Sequence, residues 1–240
     1  MRGARAALAF LTRLPAGRLD SADFARAPGW FAAIGLLIGG FQAVVFAGAA
    51  MLWPPGLAAL VAVAAGLMIT GALHEDGLAD MVDGLGSGRP AERALEIMRD
   101  SRIGSFGALA LGLALAARVM SLAALGPVAP ATLCAAGGLS RGAMALMLRA
   151  GPYLRPRGAG SGMTGPLRTG ALAGAALGAA LLVWWSAGWA VIGGLAGLAL
   201  GAGAARGWAM HRLGGVTGDV LGAAQVLGEI GFLMGVLACL

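Results

Sequence analysis

Asp76, Asp80 and Asp83 stand at i, i+4 and i+7 in the run Asp76-Gly77-Leu78-Ala79-Asp80-Met81-Val82-Asp83-Gly84, directly after a long apolar stretch. On a helix this spacing stacks the three carboxylates on one face. Like charges so placed repel, so the stripe destabilises its helix unless a cation sits against it. Hard divalent cations such as Mg²⁺ take oxygen ligands and share them with substrate phosphates. The stripe therefore predicts a Mg²⁺ site, with Asp76, Asp80 and Asp83 as its ligands, at the edge of a membrane. The bland alternative is a solvated helix end whose charges neutralise Arg89, Arg93 and Arg99. His74 precedes the stripe by less than a turn, which makes it either an interfacial histidine or a base.

Two further polar knots flank this stretch. After Gly86-Ser87-Gly88-Arg89, Pro90 suits the first turn of a short surface helix, Ala91 to Asp100. That helix ends in Arg99-Asp100-Ser101-Arg102-Ile103-Gly104, two guanidinium groups around a carboxylate. Arg is the side chain suited to bidentate phosphate binding, although Arg at a membrane boundary also anchors to anionic headgroups. The second knot, His211-Arg212-Leu213-Gly214-Gly215-Val216-Thr217-Gly218-Asp219, places three glycines and a Thr ahead of a helix. Such a loop either presents backbone N–H groups to an anion or leaves Thr217 or Asp219 to cap the helix.

The elements that must position these groups are membrane helices. The 240 residues are 59% hydrophobic and 12% charged, with a mean hydropathy of +0.83, about half the charge of a soluble domain. Apolar runs near the length of a spanning helix recur at Trp30–Leu52, Gly56–Leu73, Ile103–Leu125, Val128–Arg149, Thr169–Ser186, Gly188–Ala205 and Val220–Leu240. The expected fold is all-α, a polytopic membrane protein of about seven transmembrane helices in a single domain, 1–240. The short turns between spans carry no charge. The loops Arg2 to Arg26, Glu75 to Arg102, Arg149 to Arg168 and Arg206 to Asp219 carry nearly all of it, so they are expected in the cytoplasm. The net charge of +6 comes from 17 Arg with no Lys, for which base composition is one cause. Met1 to Pro15 reads as an amphipathic segment on the membrane surface. Cys134 and Cys239 lie in apolar runs, without metal or redox spacing. Three charges interrupt the spans. Arg141 and Glu229 are at depths that allow pairing, whereas Arg118 lies deeper, where it can snorkel toward the far face; a structural ion pair and a substrate contact are the two readings of such charges.

Taken in order, the motifs resemble those of the cobalamin synthase family, also called adenosylcobinamide-GDP ribazoletransferase. They are His74-x-Asp76-Gly77-Leu78-Ala79-Asp80-x-x-Asp83-Gly84 and Glu96-Ile97-Met98-x-Asp100-Ser101-Arg102-Ile103-Gly104-x-Phe106-Gly107. Gly214-Gly215-x-Thr217-Gly218-Asp219-x-x-Gly222-Ala223 is similar to the family's carboxyl-terminal motif, and Phe10-Leu11-Thr12-Arg13-Leu14-Pro15 to its amino-terminal one. The chain departs from the pattern at Glu75, a position usually apolar there, and at Val226. The resemblance implies a Mg²⁺-dependent transferase of the bacterial inner membrane, its site facing the cytoplasm. Its small-molecule substrates would be adenosylcobinamide-GDP and α-ribazole or the 5′-phosphate, with no nucleic acid. His74, Asp76, Asp80 and Asp83 become the expected catalytic residues, and Arg13, Arg99, Asp100, Arg102, Thr217 and Asp219 the expected substrate contacts. Two other readings fit less well. A CDP-alcohol phosphotransferase needs an Asp-Gly-x-x-Ala-Arg type of helix, but Ala79 is followed by Asp80. A small cation transporter needs acidic groups near mid-membrane, where Glu229 alone qualifies.

Overall fold

The computed structural model describes residues 2–155, 161–163, 167 and 169–240; Arg168, the last of one polar loop, lies outside them. Helix α1 (Arg2–Leu11) is amphipathic, as expected: it exposes Arg2 and Arg5 and packs Ala6, Ala7 and Leu11 into the protein's own core. Short α2 (Ser21–Phe24) is held by a reciprocal cap in which Asp20 and Asp23 each accept the other's backbone N–H. Next come α3 (Phe31–Ala50), α4 (Pro55–Thr70), α5 (Leu73–Gly86) and α6 (Ala91–Ile97). The remainder is α7 (Ser105–Ala124), α8 (Ala129–Met147), α9 (Thr169–Ala187), α10 (Ala190–Leu213) and α11 (Gly218–Leu237).

Among the described residues, five helices are long and apolar enough to cross a bilayer: α3 with the 3₁₀ turn before it, α7, α9, α10 and α11. The other two of the expected seven take different forms. α4 runs straight into α5 only in sequence; the two are bent by 89°. At the break, Gly71 and Ala72 both adopt left-handed backbone (φ 67° and 55°), which ends the α4 hydrogen-bond ladder at Thr70. The expected span Gly56–Leu73 is thus too long by one turn. α4 and α5 have the length and apolarity of a span only together, as a pair broken at this bend, and α5 turns across the polar end of the bundle. α8 is long enough to span, but Ser140, Arg141 and its glycines lower its apolarity, and it is sheltered against α3, α9 and α11.

Small residues set the packing. A Cβ on Gly35 would collide with the backbone oxygen of Gly137, and one on Gly39 would lie 2.7 Å from that of Leu133, so α3 and α8 touch backbone to backbone. Along α10 and α11, Gly193, Gly197 and Gly201 meet Gly235, Gly231 and Leu227 in the same manner. Without a hydrophobic drive between helices in lipid, such close approach is what holds them together. α10 also continues two turns past the expected Ala205, to Leu213, where Gly214 (φ 73°) ends it. Arg206, His211 and Arg212 therefore ride on a helix. A hydropathy signal that fades at Arg206 does not interrupt the backbone ladder.

Of the charges inside the bundle, Arg141 and Glu229 pair as expected, while Arg118 is placed differently. Arg118 does not snorkel outward: it is 4% exposed. Its two terminal nitrogens donate to Glu75 Oε1 and Glu229 Oε1, each at 2.6 Å. Arg141 stands 3.9 Å from Glu229 Oε2, a looser contact than the Arg118 pair. Gln225 Nε2 donates to Glu229 Oε2 at 2.6 Å and to Ser140 Oγ at 3.0 Å. This network joins α5, α7, α8 and α11 beneath the polar end. It also accounts for Glu75, the carboxylate at a position where the resembled family usually has an apolar residue.

Candidate active site at the polar end of the bundle

α5 is positioned by glycines. A Cβ on Gly77 would lie 2.9 Å from the backbone oxygen of Asp219, and one on Gly222 would lie 3.1 Å from that of His74. α5 and α11 therefore cross in backbone contact, which brings His74 and Asp76 beside the first turn of α11. Thr217 starts that turn. It is fully buried, and its Oγ1 accepts from the Val220 N–H at 3.4 Å, so its observed role is the helix cap.

The three stripe carboxylates have separate tasks. Asp83 accepts from the Gly104 N–H (Oδ2, 2.7 Å) and the Gly107 N–H (Oδ1, 2.8 Å). It thus caps α7 from another helix, with both oxygens committed. Asp76 and Asp80 are engaged by no hydrogen-bond donor among the described residues. Asp80 is pushed up to about 7, first by burial and then by the charges of Asp76 and Asp219, while Arg155 opposes the rise. No group of three or more His, Cys, Asp or Glu side chains among the described residues stands gathered as a metal cage. Two carboxylates with unengaged oxygens in a field of excess negative charge nevertheless fit Mg²⁺. That ion usually binds through one or two carboxylates, with water and substrate phosphates completing its shell.

The counter-charge comes from Arg155, which the sequence reading passed over. Its Nη2 lies 2.8 Å from Asp219 Oδ2 and donates to the Met98 backbone oxygen at 3.2 Å. The segment carrying it is stitched to the loop before α11: Leu154 N–H donates to Val216 O and Val216 N–H to Pro152 O, both at 2.9 Å. The expected phosphate pair is placed elsewhere. Arg102 is exposed and forms a fork on Asp100, with Nη2 to Oδ2 at 2.6 Å and Nε to Oδ1 at 3.0 Å. These hydrogen bonds hold the Asp100 carboxyl down to about 2. Asp100 and Arg102 line an open cleft that reaches Asp83 and Gly104, and Arg99 is exposed at its side. Arg13 sits on the α4–α5 bend, its backbone N–H donating to Ile69 O at 2.8 Å and its side chain crossing Gly71.

A cavity of about 120 Å³ opens between α1, α5, α8, α11 and the Tyr153–Arg155 segment. Its lining mixes apolar side chains (Phe10, Leu73, Met144, Leu221) with polar ones (His74, Asp76, Tyr153, Arg155, Asp219). His74 is 1% exposed and its Nε2 has no hydrogen-bond partner. Of the residues singled out in the sequence, the structure gathers His74, Asp76, Asp80, Thr217 and Asp219, with Asp83 one turn along. It places Asp100 and Arg102 in the adjoining cleft, Arg99 exposed beside it and Arg13 at the bend.

Comparison with known proteins covers nearly the whole chain. Residues 3–237 fit the family described as cobalamin-5-phosphate synthase. A protein of Bradyrhizobium diazoefficiens named adenosylcobinamide-GDP ribazoletransferase is 42% identical over 96% of this chain and 91% of its own length. Proteins of the same name from Azorhizobium caulinodans (43% identical; 97% and 94% covered) and Vibrio cholerae (38%; 93% and 88%) are similar over the same extent. No solved structure matches. With the match running through every helix that builds the site, the chain belongs to the cobalamin-5-phosphate synthase family.

Proposed function

We propose that this chain joins adenosylcobinamide-GDP to α-ribazole, or to its 5′-phosphate, forming adenosylcobalamin or its phosphate and releasing GMP. The observation that carries the proposal is the pair Asp76 and Asp80, unengaged and crowded by negative charge, beside Arg155 in a chain that matches 91% of the length of a relative bearing that transferase name. A ribose hydroxyl of the acceptor attacks the phosphorus nearer the cobinamide. A new P–O bond forms, the bond from that phosphorus to the bridging oxygen breaks, and GMP leaves with the electron pair. Asp76 and Asp80 are the residues to hold Mg²⁺, and the ion when bound offsets diphosphate charge. His74, buried in the cavity wall, takes the hydroxyl proton. Arg155 supplies a guanidinium to the phosphoryl oxygens on the same side. Thr217 keeps α11 started at the depth that sets Asp219 against Arg155.

The test is direct. Protein purified in detergent or liposomes is given adenosylcobinamide-GDP, α-ribazole and Mg²⁺, and the mixture is chromatographed for GMP and the corrinoid product. Equimolar GMP and adenosylcobalamin are expected. Release of GMP without a joined corrinoid, or no reaction with folded protein, rejects the proposal.

A further inference from the structure

Glu75, Asp76, Asp80 and Asp83 lie along α5. The outer two are committed to α7 and bracket the open pair. At one end Asp83 accepts from the Gly104 and Gly107 N–H groups. The backbones themselves approach there, since a Cβ on Gly107 would lie 2.9 Å from Ala79 O. At the other end one side chain spans the gap: Arg118, 4% exposed, donates to Glu75 at 2.6 Å. This second end carries His74 and Asp76. It follows a bend with left-handed backbone at Gly71 and Ala72, and the Ala72 side chain offers no helix cap. The contact of α5 with α11 at Gly77 and Gly222 sets their separation. Glycines have no interlocking side chains, however, to resist rotation of α5 about its own axis.

We propose that Arg118 is a positioning residue for the transfer: it locks the rotation of α5 against α11, so that Asp76 and Asp80 are held beside Arg155 and Asp219. The proposal rests on the transferase reading and deepens it. The guanidinium that donates to Glu75 also donates to Glu229 of α11 at 2.6 Å, and α11 carries Asp219. One planar fork thus references the helix bearing the open pair to the helix bearing their charged neighbour. With 3.6 residues per turn, Glu75 projects about 100° round from Asp76. A turn of α5 that loosens Glu75 therefore swings Asp76 through the same angle. Side chains end about 5–6 Å from a helix axis, so a rotation of about 10° shifts a carboxylate by about 1 Å. A misplacement of that size costs about a hundredfold in rate. Cohesion does not call for this arrangement, because small residues already draw the helices together. A charge inside the bundle is costly to insert, and what the rigid guanidinium supplies is a fixed direction.

Glu75→Leu removes the acceptor of this fork, and Glu75→Gln keeps an oxygen in its place. Both variants are purified in detergent and kcat is compared per mole of folded protein. Affinity for Mn²⁺, read by electron paramagnetic resonance, needs no turnover. Asp76 and Asp80 ride on one helix and turn together. Glu75→Leu is therefore expected to hold Mn²⁺ within about threefold of wild type while kcat falls about a hundredfold, and Glu75→Gln to recover most of that loss. If Glu75→Leu does not fold, Arg118→Lys, which keeps the charge and loses the fork, carries the same comparison. Wild-type protein that forms no corrinoid product rejects the transferase reading and takes the positioning role with it. Wild-type turnover left intact by Glu75→Leu overturns the positioning role alone. So does a kcat loss that Glu75→Gln fails to recover, or one matched by an equal loss of Mn²⁺ affinity, which would make Glu75 a support of the metal pair only.

Discussion

At the scale of single residues, a stripe of three equivalent carboxylates divides into two kinds of group. The i, i+4, i+7 spacing is visible in the sequence, and the structure keeps it. What the spacing does not reveal is that Asp83 serves backbone N–H groups 21 and 24 positions downstream, because a long-range cap leaves no periodic trace. The difference is measurable. Asp80→Asn removes a charge that burial and neighbours disfavour, so the metal-free protein gains stability while turnover falls, by about a hundredfold or more. The sign follows from the raised value near 7. Folding is favoured below the carboxyl's ordinary range, near pH 4, and that advantage is lost as pH rises through 7, so the variant's gain in thermal midpoint is largest in alkaline buffer. Asp83→Asn weakens the α7 cap instead and costs about 1–2 kcal/mol. A thermal midpoint that moves down for Asp80→Asn, or up for Asp83→Asn, contradicts this division of roles.

Arg155 is the complementary case, a proposed phosphate contact that the sequence does not mark. It lies in a coil segment between α8 and α9, on no helical face, so neither period nor motif marks it. Arg99 and Arg102, flanking Asp100 at the mouth of a span, drew the phosphate assignment. Arg102 is exposed and already forked onto Asp100, whereas Arg155 is half-buried across from Asp76 and Asp80. A guanidinium in the less hydrated place interacts more strongly with phosphate. Arg155→Lys keeps the charge and loses the fork, and is expected to lower kcat/KM for adenosylcobinamide-GDP by about ten- to a hundredfold. Arg102→Lys is expected to stay within about threefold. Steady-state kinetics with the corrinoid varied at saturating α-ribazole separates the two, and the reverse order of effects would return the role to Arg102.

At the scale of elements, the span pattern was legible because twenty-residue apolar runs and uncharged turns are strong signals. The bend was not. Gly71-Ala72-Leu73 continues the apolar run, and only the left-handed backbone at two successive residues turns α5 aside. What then fixes α5 is Arg118, reaching from α7 to Glu75 and Glu229. A depth estimate along one helix could not find this partner, since it counts residues from the membrane edge and ignores a helix lying across the end. Removing one member of a buried ion pair leaves its partner uncompensated, at about 3–5 kcal/mol. Glu229→Leu strands Arg118 from α11 and leaves Gln225 without its carboxylate, so it should cost that full amount. Glu75→Leu leaves Arg118 paired with Glu229 and is expected to cost less than half as much. Urea or thermal unfolding in detergent reads the difference, and equal penalties would mean that both carboxylates are needed to neutralise the two guanidinium groups.

At the scale of the whole molecule, chemistry and charge are gathered at one end. α3, α7, α9 and α11 start there and α4, α8 and α10 return to it, so α1, α5, α6 and the Tyr153–Arg155 segment all meet at the same face, while α11 ends at the other. The far end holds Trp184 and Trp189 in edge contact and the uncharged turns. Arg-rich loops are retained on the cytoplasmic side during insertion, so we propose that the polar end, and with it Asp76, Asp80 and Arg155, faces the nucleotide pool of the cell. Single cysteines test this orientation in a background lacking Cys134 and Cys239. Ser101 at the polar end and Ser186 at the far end are both exposed. A membrane-impermeant thiol reagent is expected to label Ser186→Cys in cells with a permeabilised outer envelope, and Ser101→Cys in inverted inner-membrane vesicles. Because the two sites sit at opposite ends of one bundle, each controls for the other. Labelling of Ser101→Cys from outside, with Ser186→Cys protected, would invert the protein and put its site on the side without GDP-activated substrate. Labelling of both from one side would break the seven-crossing arrangement itself.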